Sequence, residues 1–167
     1  MTDKKIQIYC GTGSGRSAAA LGLGMRYACA GKNVFLVRFL KGKAGNEMRF
    51  LNRLEPEIKI FTFEHFDGMY SDLTPEEQKE EKQHIRNGLN FAHKVLVTDE
   101  CDVLILDEIL DLAGMGIVEE DEVKHLMQRV SDDMIMIMTG THLCKNLWPY
   151  ATRVTQVITA SQENPAI

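Results

Sequence analysis

Two rhythms of apolar residues alternate along this chain. The first is a short, nearly continuous run, seen in "KIQIYC" at 5–10, "NVFLVRFL" at 33–40, "IKIFTF" at 58–63, "DVLILDE" at 102–108, "DMIMIMTG" at 133–140 and "RVTQVITA" at 153–160. Runs of this length and type predict strands. The second rhythm is helical spacing. "RSAAALGLGMRYACAG" opens directly after a glycine-rich turn and is predicted to close with Gly31 as its C′ residue. In "LTPEEQKEEKQHIRNGLNFAHKVLVTDE", Thr74, Pro75 and Glu77 carry a capping-box pattern ahead of Ile85, Leu89, Ala92 and Leu96 on one face. "EEDEVKHLMQRV" begins with acids that suit the positive end of a helix dipole. Strands alternating with crossover helices predict an α/β fold: a mainly parallel β-sheet with helices on both faces, binding ligands at the carboxyl ends of its strands.

Composition narrows the picture. With 167 residues, 44% of them hydrophobic, the chain is predicted to be a single domain over 1–167 that needs neither disulfides nor metals to fold. A net charge of -5 argues against nucleic acid and against an anionic membrane surface as partners, so an anionic ligand needs a local pocket. Cys10, Cys29, Cys101 and Cys144 lie far apart with no paired metal-ligand spacing, and they read as thiols of a reducing compartment. No apolar run reaches about 18 residues, and "MTDKKIQIYC" is too short and polar for a signal peptide. The expected location is cytoplasmic.

The chemistry concentrates in "CGTGSGRSAAALG" at 10–22. Gly11, Gly13 and Gly15 follow a predicted strand and precede a predicted helix, the setting in which backbone N–H groups curl around phosphate oxygens. Gly11, Thr12, Gly13, Ser14, Gly15, Arg16, Ser17 and Ala18 are therefore the candidate residues for binding the phosphates of a nucleotide. Arg16 takes the place of the usual P-loop lysine, and Ser17 offers a hydroxyl for a magnesium ion. A bare glycine turn joining strand to helix is the simpler role of the same residues.

"DVLILDEIL" supplies the partner: an apolar strand ending in Asp107 and Glu108, which would lie beside the phosphate loop if the two strands are neighbours. Ser17, Asp107 and Glu108 are the candidate metal ligands, hard oxygens suited to Mg2+ or Mn2+. Capping of the next helix is the simpler role of the acids. Arg38, Lys41, Lys43 and Arg49 follow the second strand as a cationic cluster suited to a triphosphate. Phe66, Met69 and Tyr70 in "EHFDGMYSDL" could wall a large flat ligand, or pack into the core. His142 follows the fifth strand and could reach the same edge.

The glycine loop, "VRFLKG", "LILDEI" and "MIMTG", in this order over residues 5–160, resemble the ATP:corrinoid adenosyltransferases of the P-loop, RecA-like type. The resemblance implies a three-layer P-loop NTPase sandwich. It also implies transfer of the 5′-deoxyadenosyl group of ATP to the cobalt of a reduced corrinoid, cob(I)alamin or cob(I)yrinic acid a,c-diamide, with release of triphosphate. Such enzymes act as homodimers, and a reductase or a corrinoid-dependent enzyme is a further partner to expect. The resemblance implies catalytic roles for Arg16, Lys41 and Glu108; it also implies a corrin-facing loop with aromatic residues, for which Phe66 and Tyr70, with Met69 beside them, are the candidates in a loop that does not follow the family pattern. The family's usual lysine and threonine are Arg16 and Ser17 here, and Thr141 stands where the resemblance implies an arginine. A non-catalytic ATP- or corrinoid-binding paralogue, or a P-loop ATPase, would carry many of the same residues.

Overall fold

The computed structural model describes residues 5–40 and 49–161, so Lys41 and Lys43 lie outside the described residues. Strands β1 (Lys5–Cys10), β2 (Val34–Arg38), β3 (Ile58–Thr62), β4 (Val103–Asp107), β5 (Ile135–Gly140) and β6 (Arg153–Gln156) form one sheet in the order β3-β2-β4-β5-β1-β6. Every pairing is parallel, where the sequence predicted a mainly parallel sheet. One expectation changes: β1 and β4 are not neighbours, because β5 lies between them. The phosphate loop and the acidic strand end therefore meet across an intervening strand.

Four α-helices lie wholly within the described residues: α1 (Arg16–Cys29), α2 (Pro75–Thr98), α3 (Ile109–Gly114) and α4 (Glu120–Gln128). Alternation along the strands assigns their side chains to two layers. Ile6, Ile8, Leu104, Leu106, Met136 and Met138 join the stripe of α2 and the apolar faces of α3 and α4 in the larger cluster. Val34, Leu36, Val103, Ile105, Ile135 and Ile137 turn to the opposite face, against α1. Burying a side chain of this size contributes about 1.5–3 kcal/mol, so the two clusters hold the strand ends in fixed register.

Local signals explain the helix bounds. Thr74 accepts from the Glu77 N–H while the Glu77 carboxylate accepts from the Thr74 N–H, and Pro75 occupies the first turn of α2. α4 uses the same reciprocal cap with Glu119 in the threonine's place and Glu122 as its partner. The short α3 was not predicted: its "ILDLAG" continues the apolar run of β4, so periodicity gives no boundary between them. No helix among the described residues is long and apolar enough to cross a membrane.

Candidate functional site

β1 ends at Cys10, and the chain turns through Gly11–Gly15 into α1. Gly11 has φ +111°, and a Cβ there would lie 2.5 Å from the Val157 carbonyl oxygen, so only glycine fits this turn. The segment after β6 backs the loop: the Gly13 N–H donates to Val157 O at 3.0 Å and the Ser14 N–H to Thr159 Oγ1 at 3.4 Å. On the other side the Gly11 N–H donates to Thr141 O at 3.2 Å. Gly15 serves as the N-cap of α1 in the left-handed region, with no side-chain cap and no acid in the first turn. The positive end of α1 is therefore left to an external anion, with Thr12, Ser14, Gly15 and Ala18 exposed around it.

Arg16 is folded back on this loop. Its guanidinium donates to Gly11 O at 2.8 Å, to Gly13 O, and to Thr141 Oγ1 at 3.3 Å, while its Nε is buried with no partner. These acceptors are neutral. A phosphate oxygen, being charged, is the stronger acceptor for the same donors.

Ser17, one residue on, donates its hydroxyl to Asp107 Oδ1 at 2.7 Å. Thr139 of β5, fully buried, donates to the same oxygen at 2.6 Å and accepts the Glu108 N–H at 2.9 Å. The first turn of α1 thus reaches the acidic strand end directly through Ser17, and Thr139 of the intervening strand adds a second donor to the same oxygen. Arg38 stands beside Asp107 in the β2–β4 register, on the α1 side of the sheet, and is 4% exposed. Ser17, Ala18, Arg38 and Asp107 line a cavity of about 190 Å³ under the first turn of α1.

Glu108 takes a left-handed backbone, φ 69°, which is uncommon for a residue with a side chain and turns it away from the line of β4. Its carboxyl faces that of Asp111, where a hydrogen bond between the two acids needs a proton on Glu108. Asp111 is buried and saturated: it accepts the Thr141 N–H at 2.9 and 3.0 Å, the His142 N–H at 3.2 Å, and contacts His142 Nδ1 at 2.7 Å. Burial alone would push the Asp111 carboxyl up, but the bonds from Glu108, His142 and the two amides outweigh it and hold it below the ordinary aspartate value. His142 reaches the strand edge, as the sequence suggested, and is anchored there by Asp111.

The donor set tests whether a metal fits. Among the described residues there is no group of three or more His, Cys, Asp or Glu side chains that could cage an ion. Ser17 and Asp107 are nevertheless adjacent hard oxygens at the mouth of an anion site. That suits Mg2+, which takes one or two protein oxygens and completes its shell with phosphate and water. Glu108 joins them only by leaving Asp111.

The buried thiols offer no nucleophile. Burial pushes Cys101 and Cys144 up to about 12, and it also raises Cys10, with Arg16 acting in the opposite direction.

Of the residues expected to wall a flat ligand, Phe66 and Tyr70 come together with Leu40 and Glu81 around a cavity of only about 10 Å³. Met69 stands apart, 69% exposed. Sequence reasoning missed Thr139, Asp111, the Val157–Thr159 segment and Glu81. Each acts through tertiary contacts, and of these only Glu81, an acid on the apolar stripe of α2, left a local sign.

This chain matches the family model ATP:corrinoid adenosyltransferase BtuR/CobO/CobP over residues 2–163. It belongs to that family. The corrinoid adenosyltransferase of Escherichia coli (strain K12) is 26% identical over 154 residues, covering 91% of this chain and 75% of that one. Among solved structures, the flagellar accessory protein FlaH from Methanocaldococcus jannaschii superposes with a TM-score of 0.60 at 16% identity, covering 92% of this chain and 70% of that chain. EssC (ATPases 2 and 3) from Geobacillus thermodenitrificans gives 0.50 at 17% identity over 96% of this chain and 33% of its own. At these identities the two structures speak for the fold alone, a parallel β-sheet with helices on both faces.

Proposed function

We propose that the chain transfers the 5′-deoxyadenosyl group of ATP to the cobalt of a reduced corrinoid and releases inorganic triphosphate. The observation that carries this reading is the uncapped end of α1. There Arg16 rests on neutral acceptors and Ser17 is tied to Asp107, so an anion entering the loop finds cationic and N–H donors in place.

The corrinoid supplies a Co(I) lone pair that attacks the 5′ carbon; the cobalt–carbon bond forms as the carbon–oxygen bond breaks, and its electron pair leaves with the triphosphate. No protein nucleophile or base is required, which agrees with thiols that burial keeps protonated. The protein contributes orientation and charge stabilisation of the leaving group. Arg16 moves from the Gly11 and Gly13 carbonyls to the phosphates, the first-turn amides of α1 add N–H donors, and Arg38 adds a buried cation beside Asp107. Ser17 and Asp107, with Glu108, would hold a Mg2+ or Mn2+ ion, which adds positive charge on the triphosphate. Lys41 belongs to the same cationic edge, and Phe66, Met69 and Tyr70 belong to the corrinoid side. We place the enzyme in the cytoplasm as a single-domain homodimer supplied by a reductase.

The test is an anaerobic assay with ATP, magnesium and chemically reduced cobalamin. Formation of light-sensitive adenosylcobalamin with stoichiometric triphosphate is the expected outcome. ATP binding without product would make the chain a nucleotide sensor, and ADP with orthophosphate would make it a hydrolase.

A further inference from the structure

Glu81 is the one buried acid of α2, 3% exposed, and it lies in "EEQKEEKQ", a stretch whose composition suggests a solvated face. Its position explains the burial: 81 precedes Ile85, Leu89, Ala92 and Leu96 on the stripe that faces the sheet. A carboxylate there loses its hydration and persists only where donors replace water. Two do. Glu81 Oε2 accepts the His65 N–H at 3.0 Å and the Phe66 N–H at 3.3 Å.

These bonds belong to a longer track. A Cβ on Gly88 would lie 2.6 Å from Phe39 and 2.9 Å from Phe63, so the start of the segment is pressed onto α2 at that glycine. One turn towards the N-terminus, the His65 and His84 rings stack with centroids 5.1 Å apart and planes 7° from parallel. Glu81 follows, and then Gln78, whose Nε2 donates to Tyr70 O at 3.2 Å and Leu73 O at 3.3 Å. Residues 88, 84, 81 and 78 of α2 thus hold residues 63 to 73 in reverse order. Glu81 grips the backbone at Phe66, as Gln78 does at Tyr70.

We infer that Glu81 is a positioning residue for the corrinoid: by holding the amides of His65 and Phe66 it fixes where the Phe66 ring stands at the carboxyl edge. This rests on the transferase reading above, because it assigns Phe66 a ligand-facing role. Glu81 touches neither substrate and acts through the loop backbone.

The test uses the full chain in the anaerobic assay with cob(I)alamin and ATP varied independently. Glu81→Leu fills the volume but removes the acceptor, Glu81→Asp draws the carboxylate back by one methylene, and Glu81→Gln keeps an oxygen within reach of both amides. Glu81→Leu is expected to raise KM for cob(I)alamin about tenfold while KM for ATP stays within about twofold, the loss of roughly 1.4 kcal/mol of binding to one substrate. Glu81→Gln should restore most of the affinity. Should the leucine variant fail to fold, Glu81→Asp reads the same split. Hydrogen exchange at the His65 and Phe66 amides, faster in the leucine or aspartate variant and near wild type in the glutamine variant, checks the mechanism without turnover. Equal changes in both KM values, unchanged kinetics, or a glutamine variant as impaired as the leucine would overturn the inference while the transferase reading stands. A wild-type chain that forms no adenosylated corrinoid removes that reading itself, and the positioning role with it.

Discussion

The phosphate loop and the segment from 63 to 73 are both irregular stretches at the carboxyl edge of the sheet, yet they are held in opposite ways. Residues 11–15 are fixed mainly through backbone: Gly11 against Val157, Gly13 on Val157 O, and Gly15 as a left-handed N-cap. Residues 63–73 are fixed by side chains of α2, Gln78, Glu81 and His84, with Gly88 admitting Phe63. A backbone-built loop presents N–H groups to any phosphate and tolerates few changes of its own. A loop held by side chains of the helix that follows it can change its own sequence and keep its course, which suits a surface that must fit a particular large ligand.

The comparison breaks most sharply at Asp107. Asp107→Asn keeps the shape but makes the group both donor and acceptor where Ser17 and Thr139 each donate, and it removes the charge that would hold magnesium. Turnover is expected to fall by about 100-fold or more, the scale of losing one electrostatic group at a reacting centre. If kcat survives within a factor of ten, the link between α1 and β4 serves the fold and not the chemistry. Arg16→Ala comes next. Nucleotide affinity should weaken by about tenfold to a hundredfold, the scale of removing a charge-assisted hydrogen bond to phosphate, with cobalamin affinity unchanged. Calorimetric titration with ATP reads this directly, and unchanged affinity would remove Arg16 from the site. Arg16→Lys keeps the charge without the fork that reaches Thr141 Oγ1, so comparing the two variants isolates the geometry.

The same contrast explains what could be read in advance. Glycines after an apolar strand announce their role because the constraint is local: a turn, a positive φ, a helix N-terminus. All six strands, α1 with Gly31 beyond its end, and the capped start of α2 were legible for the same reason. Adjacency was not. That β5 separates β1 from β4, and that Thr139 therefore joins Ser17 on the same oxygen of Asp107, depends on strand order, which no single run encodes. Glu81 left a faint signal, an acid on the apolar stripe of α2, hidden among neighbouring acids and lysines. Asp111 left none, since its helix merges with the apolar run of β4.

Asp111 lies nearer the phosphate loop but is held by amides, so it separates scaffold from chemistry at that end. Asp111→Asn should cost about 2 kcal/mol of stability at neutral pH, because the Thr141 and His142 donors lose a charged acceptor. The folded carboxyl titrates below its unfolded value of 3.8. Its stabilisation is therefore fully present above the unfolded pKa and is lost as pH falls through the lower folded one. Urea unfolding of wild type and variant should show the gap at pH 7 and a narrower gap near pH 3. A gap that widens on acidification would reverse the assignment.

The smallest effect is expected where α2 meets α4. Arg86 and Glu122 form a two-pronged ion pair between these helices, with side chains 46% and 38% exposed. The hydrogen bond holds Glu122 below the ordinary glutamate value and raises Arg86, yet water and salt reach both groups. Glu122→Gln should therefore cost no more than about 1 kcal/mol, and less at high salt. Glu122 also caps the start of α4, so the glutamine, which can still accept from the Glu119 N–H, is the cleaner change than alanine. Because α2 carries the 63–73 segment on a different face, the variant should leave KM for both substrates unchanged. If KM for cob(I)alamin rises instead, the seat of α2 against α4 also sets the position of Phe66, and the grip of Glu81 is only part of what places that loop.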